Sequence, residues 1–312
     1  MSSNSSPVIE TRNLSKRFKE LRAVYRLNMK VNKGEIFGFL GPNGAGKTTT
    51  LKMIMGLMYP SEGEVFINGE KVGADSVHVR KNLSYLPERV SFYDHLTPLQ
   101  TLHFFCELKG ADKSVAKPLL KEVGLADRMH DDVGTFSKGM VQLLGVAQSM
   151  IGNPPIYIFD EPMGGLDARW VKVIREKIRA LNDQGATILF SSHILSEVQG
   201  LCDKVAIINK GKLVAEDTLA NLSKHLHLKP RLEITITGLN GKVPSSLSNI
   251  EGIDAVDAKG DKLIVTCDAK ARLQVIIKLA QEGMDIQEFK TIDPSLEDVF
   301  MKVTSSEEEG GF

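Results

Sequence analysis

The sequence predicts an α/β fold followed by a second, smaller α+β domain of ferredoxin-like order. Three observations predict it. Short continuous apolar runs, each leading into a turn and a helix-like pattern, recur from Val8 to about Leu222, and such runs suit strands buried on both faces of a sheet. The 312 residues exceed what one core usually organises. Beyond a polar stretch, the pattern changes to strand, helix, strand, strand, helix, strand.

Taken in order, the first marked strand is Ile36-Phe37-Gly38-Phe39-Leu40, which runs into a Gly-rich turn and then a helical pattern over residues 49–57. A second, Ile156-Tyr157-Ile158-Phe159, ends at Asp160. Residues 223–230, with His225 and His227, read as a solvated linker, since two histidines without a third ligand do not make a metal site. This places one domain at residues 8–228 and another at 229–304. The smaller domain is expected to have strands at 232–237, 254–258, 262–266 and 284–289, with helices near 245–250 and over 269–282. A last helix is signalled by Ser295 as N-cap, by Glu297 and Asp298 in the first turn, and by Leu296, Val299, Phe300 and Val303 on one face. The tail 305–312, with three consecutive glutamates and two glycines, is expected to be disordered.

Lys+Arg and Asp+Glu both total 39, so no basic footprint points to nucleic acid. Cys106, Cys202 and Cys267 are odd in number and widely spaced, which argues against a disulfide framework and suits a reducing compartment. The Ser- and Asn-rich start, residues 1–7, carries no apolar stretch, and nowhere do about 18 apolar residues run together. A role at a membrane would therefore require a partner.

The chemistry is concentrated at Gly41-Pro42-Asn43-Gly44-Ala45-Gly46-Lys47-Thr48, with Thr49 beginning the helical run. This is a phosphate loop standing where its mechanism needs it, between a strand and a helix. Its glycines let backbone N–H groups wrap a β-phosphate, Lys47 reaches the β- and γ-phosphates, and Thr48 offers a hydroxyl to Mg²⁺. Phosphoryl transfer also needs a carboxylate for the metal and a group to position water. Asp160 and Glu161, at the end of an apolar strand, supply both: Asp160 for the metal and Glu161 as base.

Between these motifs lies Phe136-Ser137-Lys138-Gly139-Met140, and here the chain resembles the ATP-binding cassettes. The resemblance implies a P-loop NTPase fold, with a RecA-like core and a helical subdomain at about residues 90–150. It implies that Ser137 and Gly139 bind the γ-phosphate of ATP held by a facing subunit. Phe18 is placed like the aromatic that stacks on adenine, Gly165-Leu166-Asp167 like the loop that crosses the dimer, and His193 of Ser191-Ser192-His193 like the switch histidine. The Asn-Lys-x-Asp guanine reader is absent from the sequence, and adenine stacking on Phe18 favours ATP.

Three residues depart from the family pattern. Glu88 stands where most cassettes have a glutamine contacting Mg²⁺ and the attacking water. An ionised carboxylate accepts hydrogen bonds but cannot donate them, so metal coordination is expected to survive while γ-phosphate contact changes. Lys138 replaces the usual second glycine of the signature, and Leu143 stands where arginine is common.

Asp293-Pro294-Ser295-Leu296-Glu297-Asp298-Val299-Phe300 is similar to the ending of exporter-type cassettes of the ABC-2 group, which carry a small added domain. The expected partners are thus a homodimer mate across the ATP sites and an integral-membrane permease on a separate chain, with no nucleic acid. The expected location is the cytoplasmic face of the cell membrane. Residues 85–92 and 136–148 are also similar to the cassette serving maturation of nitrous-oxide reductase, and drug and polysaccharide exporters share much of them. A soluble cassette with a regulatory or repair role is the alternative, although the single phosphate loop and the lack of a long heptad insertion weigh against it.

Overall fold

A computed structural model describes residues 7–73, 76–226 and 228–309. It divides into two compact units, Met1–Thr218 and Leu219–Phe312. The first opens with a hairpin, β1 (Ile9–Phe18) and β2 (Leu21–Val31), and continues through β3 (Ile36–Leu40) into α1 (Lys47–Ile54). Next come β4 (Glu62–Ile67), β5 (Glu70–Lys71), the one-turn α2 (Val77–Arg80) and β6 (Leu83–Leu86). A helical excursion, α3 (Pro98–Lys109), α4 (Ala116–Glu122) and α5 (Lys138–Met150), then leads to β7 (Ile156–Phe159). The unit closes with α6 (Ala168–Asp183), β8 (Thr187–Ser192), α7 (Leu195–Val198), β9 (Lys204–Asn209) and β10 (Lys212–Asp217).

Two sheets carry this unit. The antiparallel one is ordered β2-β1-β4-β5 and the larger one β10-β9-β3-β8-β7-β6. Strands β9, β3, β8, β7 and β6 pair in parallel, with β10 antiparallel at the edge. Every residue of β3 and β7 is buried, as expected of strands covered on both faces. The core joins Phe37, Phe39, Ile156 and Ile158 of the large sheet to Ile9, Leu14 and Leu27 of the small one, with Leu51 and Ile54 of α1 in the same cluster. Each such fully buried side chain contributes about 1.5–3 kcal/mol, so α1 is fixed from both sides and the loop before it is held rigidly.

Local signals set the helix ends. Thr97 and Gln100 form a reciprocal capping box, with Pro98 at the first helical position, and α3 stops at Gly110, whose φ of 66° suits glycine. Asp167 caps α6 by accepting from Arg169 N and Trp170 N, and Ile174, Ile178 and Leu181 give that helix its buried stripe. The three cysteines are free, with Cys106 and Cys267 buried.

The second unit comprises α8 (Leu219–His225), β11 (Arg231–Ile236), a 3₁₀ turn over Ser245–Asn249, β12 (Ile253–Lys259), β13 (Lys262–Cys267), α9 (Ala269–Gln281), β14 (Ile286–Ile292) and α10 (Leu296–Glu309). Its antiparallel sheet is ordered β12-β13-β11-β14, the ferredoxin-like arrangement. Leu232, Ile234, Leu263 and Val265 pack with Val275 and Leu279 of α9 beneath it. Ser295 caps α10 reciprocally: its hydroxyl accepts from Asp298 N at 3.2 Å while Asp298 accepts from Ser295 N at 2.8 Å.

Four expectations change here. The division falls after Thr218 rather than after residue 228, because α8 packs against α10 within the second unit. Ser223 and His225 consequently lie in helix rather than linker, with the Ser223 hydroxyl donating to Leu219 O at 2.9 Å, while His227 is outside the described residues. The first helix of the second unit is only a 3₁₀ turn, as befits a short Ser- and Asn-rich run that competes for its own backbone. The helix expected to stop before residue 305 runs on to Glu309, since no breaker intervenes before Gly310; residues 310–312 are outside the described range.

Candidate active site

The phosphate loop is shaped by close backbone approaches. A Cβ at Gly41 would lie 2.3 Å from Ile208 O, and one at Gly46, with φ +105°, would lie 2.3 Å from Ala23 O. Gly44, at φ +80°, instead has open space where a Cβ would stand, as a phosphate-wrapping turn requires. Lys47 Nζ donates to Gly41 O at 2.7 Å and Pro42 O at 3.2 Å, curling back over the loop.

The acidic pair is tied to the sheet from both sides. Asp160, 1% exposed, donates its N–H to Leu86 O at 2.8 Å. Its Oδ1 accepts from Ser191 Oγ at 2.7 Å, and that same hydroxyl oxygen accepts from Glu161 N at 2.9 Å. Tyr85 OH points at Asp160 Oδ2 from 3.4 Å, and its phenol is pushed up by burial and by the neighbouring carboxylate. Glu161 adopts a left-handed backbone, φ 48°, unusual for a residue with a side chain. That turn aims its carboxylate between two partners: Lys47 Nζ lies 3.0 Å from Oε1, and His193 Nδ1 lies 2.8 Å from Oε2. Lys47 and Glu161 are 6% and 7% exposed, so each charge depends on the other for compensation. Behind His193, Ser192 Oγ donates to Glu197 Oε2 at 2.6 Å. Burial raises the Glu197 carboxyl, opposed first by that hydrogen bond.

These groups face a cavity of about 1030 Å³ lined by Phe18, Asn43, Gly44, Gly46, Lys47, Thr48, Thr49, Glu88, Glu161 and His193 among others. Such a volume suits a nucleotide, and Phe18, 42% exposed at the end of β1, offers a ring at its margin. Of the other expected residues, Gly41, Pro42 and Ala45 shape the loop from behind, and Asp160 sits beneath Glu161, outside the lining. Ser137 and Gly139 also stand outside the lining of their own cleft. Ser137 caps α5, accepting from Met140 N at 3.3 Å, and Gly139 lies against the Trp170 ring.

The departures acquire a place. Lys138 Nζ donates to Gly164 O at 2.7 Å, tying the signature to the loop after Glu161. Leu143, 2% exposed, is a core residue of α5, where an apolar side chain fits. Glu88 lines the cleft, exposed. Among the described residues no three His, Cys, Asp or Glu side chains cluster as a metal cage. The oxygen donors Thr48 and Asp160 nevertheless suit Mg²⁺, which keeps waters and takes substrate phosphates rather than filling an all-protein cage. Sequence reading missed Ser191 as the bridge between the Asp160 carboxylate and the Glu161 backbone N–H, and also Tyr85, Glu197 and Trp170. Nothing in their spacing marks them, because each acts through a contact made in the fold.

The phosphate loop is thus joined through the buried Lys47 to the Glu161 carboxylate, with the Ser137-capped α5 in the excursion between. The family model for "ABC transporter" matches residues 24–164, and that for "ATP-binding protein DrrA1-3-like, C-terminal domain" matches residues 224–304. The chain is 34% identical over 310 residues to an uncharacterized ABC transporter ATP-binding protein, YhcH, of Bacillus subtilis, covering 97% of each. The chain belongs to the ABC transporter ATP-binding proteins. As such it is an ATPase. This cassette is also 34% identical over 301 residues to the bacitracin transport ATP-binding protein BcrA of Bacillus licheniformis, covering 96% of this chain and 97% of that one. Among solved structures it resembles the ATP-binding subunit of an ABC transporter at TM-score 0.64 and 31% identity, covering 70% of this chain and 93% of the other. The second unit thus corresponds to a recognised addition to such cassettes rather than to part of the catalytic core.

Proposed function

We propose that this ATPase is the motor of an ABC-2 type exporter, closing as a head-to-tail homodimer around two ATP molecules and driving a permease carried on a separate chain. One observation carries the reading: Ser137 and Gly139 do not line the cleft of their own chain, which holds Lys47, Thr48 and Glu161. Lys138 between them does line that cleft but is held to Gly164 O, so a γ-phosphate bound there would meet Ser137 and Gly139 from a second copy. In the closed pair, Lys47 and the loop N–H groups bind the phosphates, Phe18 stacks on adenine, Glu161 takes up the proton of the attacking water, and His193 orients Glu161 and reads the γ-phosphate. Thr48, Asp160 and Glu88 would hold Mg²⁺, which neutralises charge developing on the phosphate oxygens. Hydrolysis then releases the pair, a population shift set by a ligand that binds the closed state best.

The helical excursion supports docking of a permease. Phe104 and Leu108, one turn apart on α3, are exposed, as is Tyr93, while Phe105 contacts Phe104 and Phe92 with ring centroids 5.4 and 6.0 Å apart. An exposed aromatic face of this kind marks an interaction surface. No helix among the described residues is long and apolar enough to cross a membrane. The export direction and a place on the cytoplasmic face of the membrane rest on the resemblance to bacitracin transport proteins and on the DrrA-like second unit.

The decisive test is Glu161→Gln. It is expected to lower ATP turnover by at least about 100-fold and to accumulate an ATP-bound dimer on gel filtration. A variant that binds ATP yet stays monomeric would sink the head-to-tail reading.

A further inference from the structure

Gln142 is 5% exposed, and its Nε2 is buried without a hydrogen-bond partner among the described residues. It nevertheless lines the nucleotide cleft, together with Glu88, Arg89 and Val90. A buried donor left unpaired costs about 1–3 kcal/mol, so its persistence calls for a partner in another state of the protein.

The packing of α5 indicates which partner. Gln142 and Gly145 are three residues apart and share one face of the helix. At Gly145 that face is pressed onto the segment leaving β6: a Cβ there would stand 2.7 Å from Leu86 Cδ1 and 3.2 Å from Val90 Cγ1. One turn toward the start of α5, Gln142 lines the same cleft as Glu88 and Arg89, the residues between Leu86 and Val90. Glu88 has no hydrogen of its own to give once ionised, whereas the amide of Gln142 has two.

We infer that Gln142 is a positioning residue for Glu88: when nucleotide closes the cleft, Gln142 Nε2 donates to the Glu88 carboxylate and fixes its direction toward the reacting phosphate. A carboxylate at position 88 thereby regains a fixed orientation from α5. The inference rests on the proposed place of Glu88 at the metal and the attacking water.

The test is Mg-ATPase kinetics of the full chain. Gln142→Leu is expected to lower kcat about tenfold with KM for ATP within about twofold. The same variant should leave the melting temperature of the nucleotide-free protein unchanged or raised, because an unpaired buried amide has become carbon. In a Glu88→Gln background, where position 88 brings its own donor, Gln142→Leu should cost less than about twofold. An equal loss in both backgrounds, or a fall in melting temperature that accounts for the lost activity, overturns the inference. Glu88→Ala separates it from the reading beneath it: full activity there removes Glu88 from the reaction altogether. Impaired Glu88→Ala beside an unaffected Gln142→Leu overturns only the role of Gln142.

Discussion

Gly139→Ala should disturb the signature through a tryptophan rather than through nucleotide. An added Cβ would stand 2.4 Å from Trp170 Cγ and 2.5 Å from Cδ1 and Cδ2, atoms at the root of a rigid ring. To restore an ordinary carbon–carbon separation, the ring or the start of α5 must retreat by about 1 Å. Overpacking of this kind costs about 1–3 kcal/mol. For a unit of this size each kcal/mol moves the melting temperature by about 2–4 °C, so a loss of about 2–12 °C is expected. Trp170 is the single tryptophan of the chain, so emission of the nucleotide-free protein reports its displacement directly. A red shift should accompany the lower melting temperature, and ATPase activity should fall because Ser137 begins the same turn. Both physical readouts are taken without nucleotide, so they test packing independently of the dimer. Unchanged emission and melting temperature would refute the placement of Trp170 over the signature.

Two further outcomes follow from the buried charges. Lys47→Ala should abolish binding of both ATP and ADP, and it should also lower nucleotide-free stability by about 3–5 kcal/mol, since Glu161 is left buried without its cation; calorimetric titration and urea unfolding check the two halves. For Glu197, burial raises the carboxyl, so the folded state favours the protonated form and loses stability as pH climbs from the ordinary carboxylate value through the raised one. Glu197→Gln, which still accepts from Ser192, is therefore expected to melt higher than the parent near pH 7 and together with it near pH 4, a comparison that scanning fluorimetry reads.

What was legible in the sequence was what is contiguous along it. Gly41 to Thr48 state their purpose within one turn, and the strand Ile156–Phe159 delivers Asp160 and Glu161 to the end of the sheet by its length alone. The strand pattern of the second unit likewise foretold its ferredoxin-like sheet. What could not be read were contacts between segments far apart in the chain. Ser191 joins Asp160 to Glu161 only because β7 and β8 pair in parallel register, and Trp170 covers Gly139 only because α6 begins beside α5. The 3₁₀ turn at Ser245–Asn249 fell short of the helical expectation for a local reason, since the run is short and serine is a weak helix former. The run of glutamates misled in the other direction: charge suggested disorder, yet glutamate is a good helix former and the first glycine comes only at Gly310.

The line Lys47, Glu161, His193 has a consequence for the order of events at the site. The lysine that should meet the phosphates lies 3.0 Å from the carboxylate that should meet the water. Each neutralises the other in a buried place where neither could stand alone. An entering triphosphate offers Lys47 a stronger partner than a single carboxylate and so draws it off Glu161. The carboxylate is then left with His193, 2.8 Å away and 36% exposed at the mouth of the cleft. On the proposed reading, phosphate binding and release of the base are thus one displacement: Glu161 is free to accept a proton only when there is a γ-phosphate to attack. ADP, lacking that phosphate, competes less strongly for Lys47, and the ion pair can re-form as the product leaves.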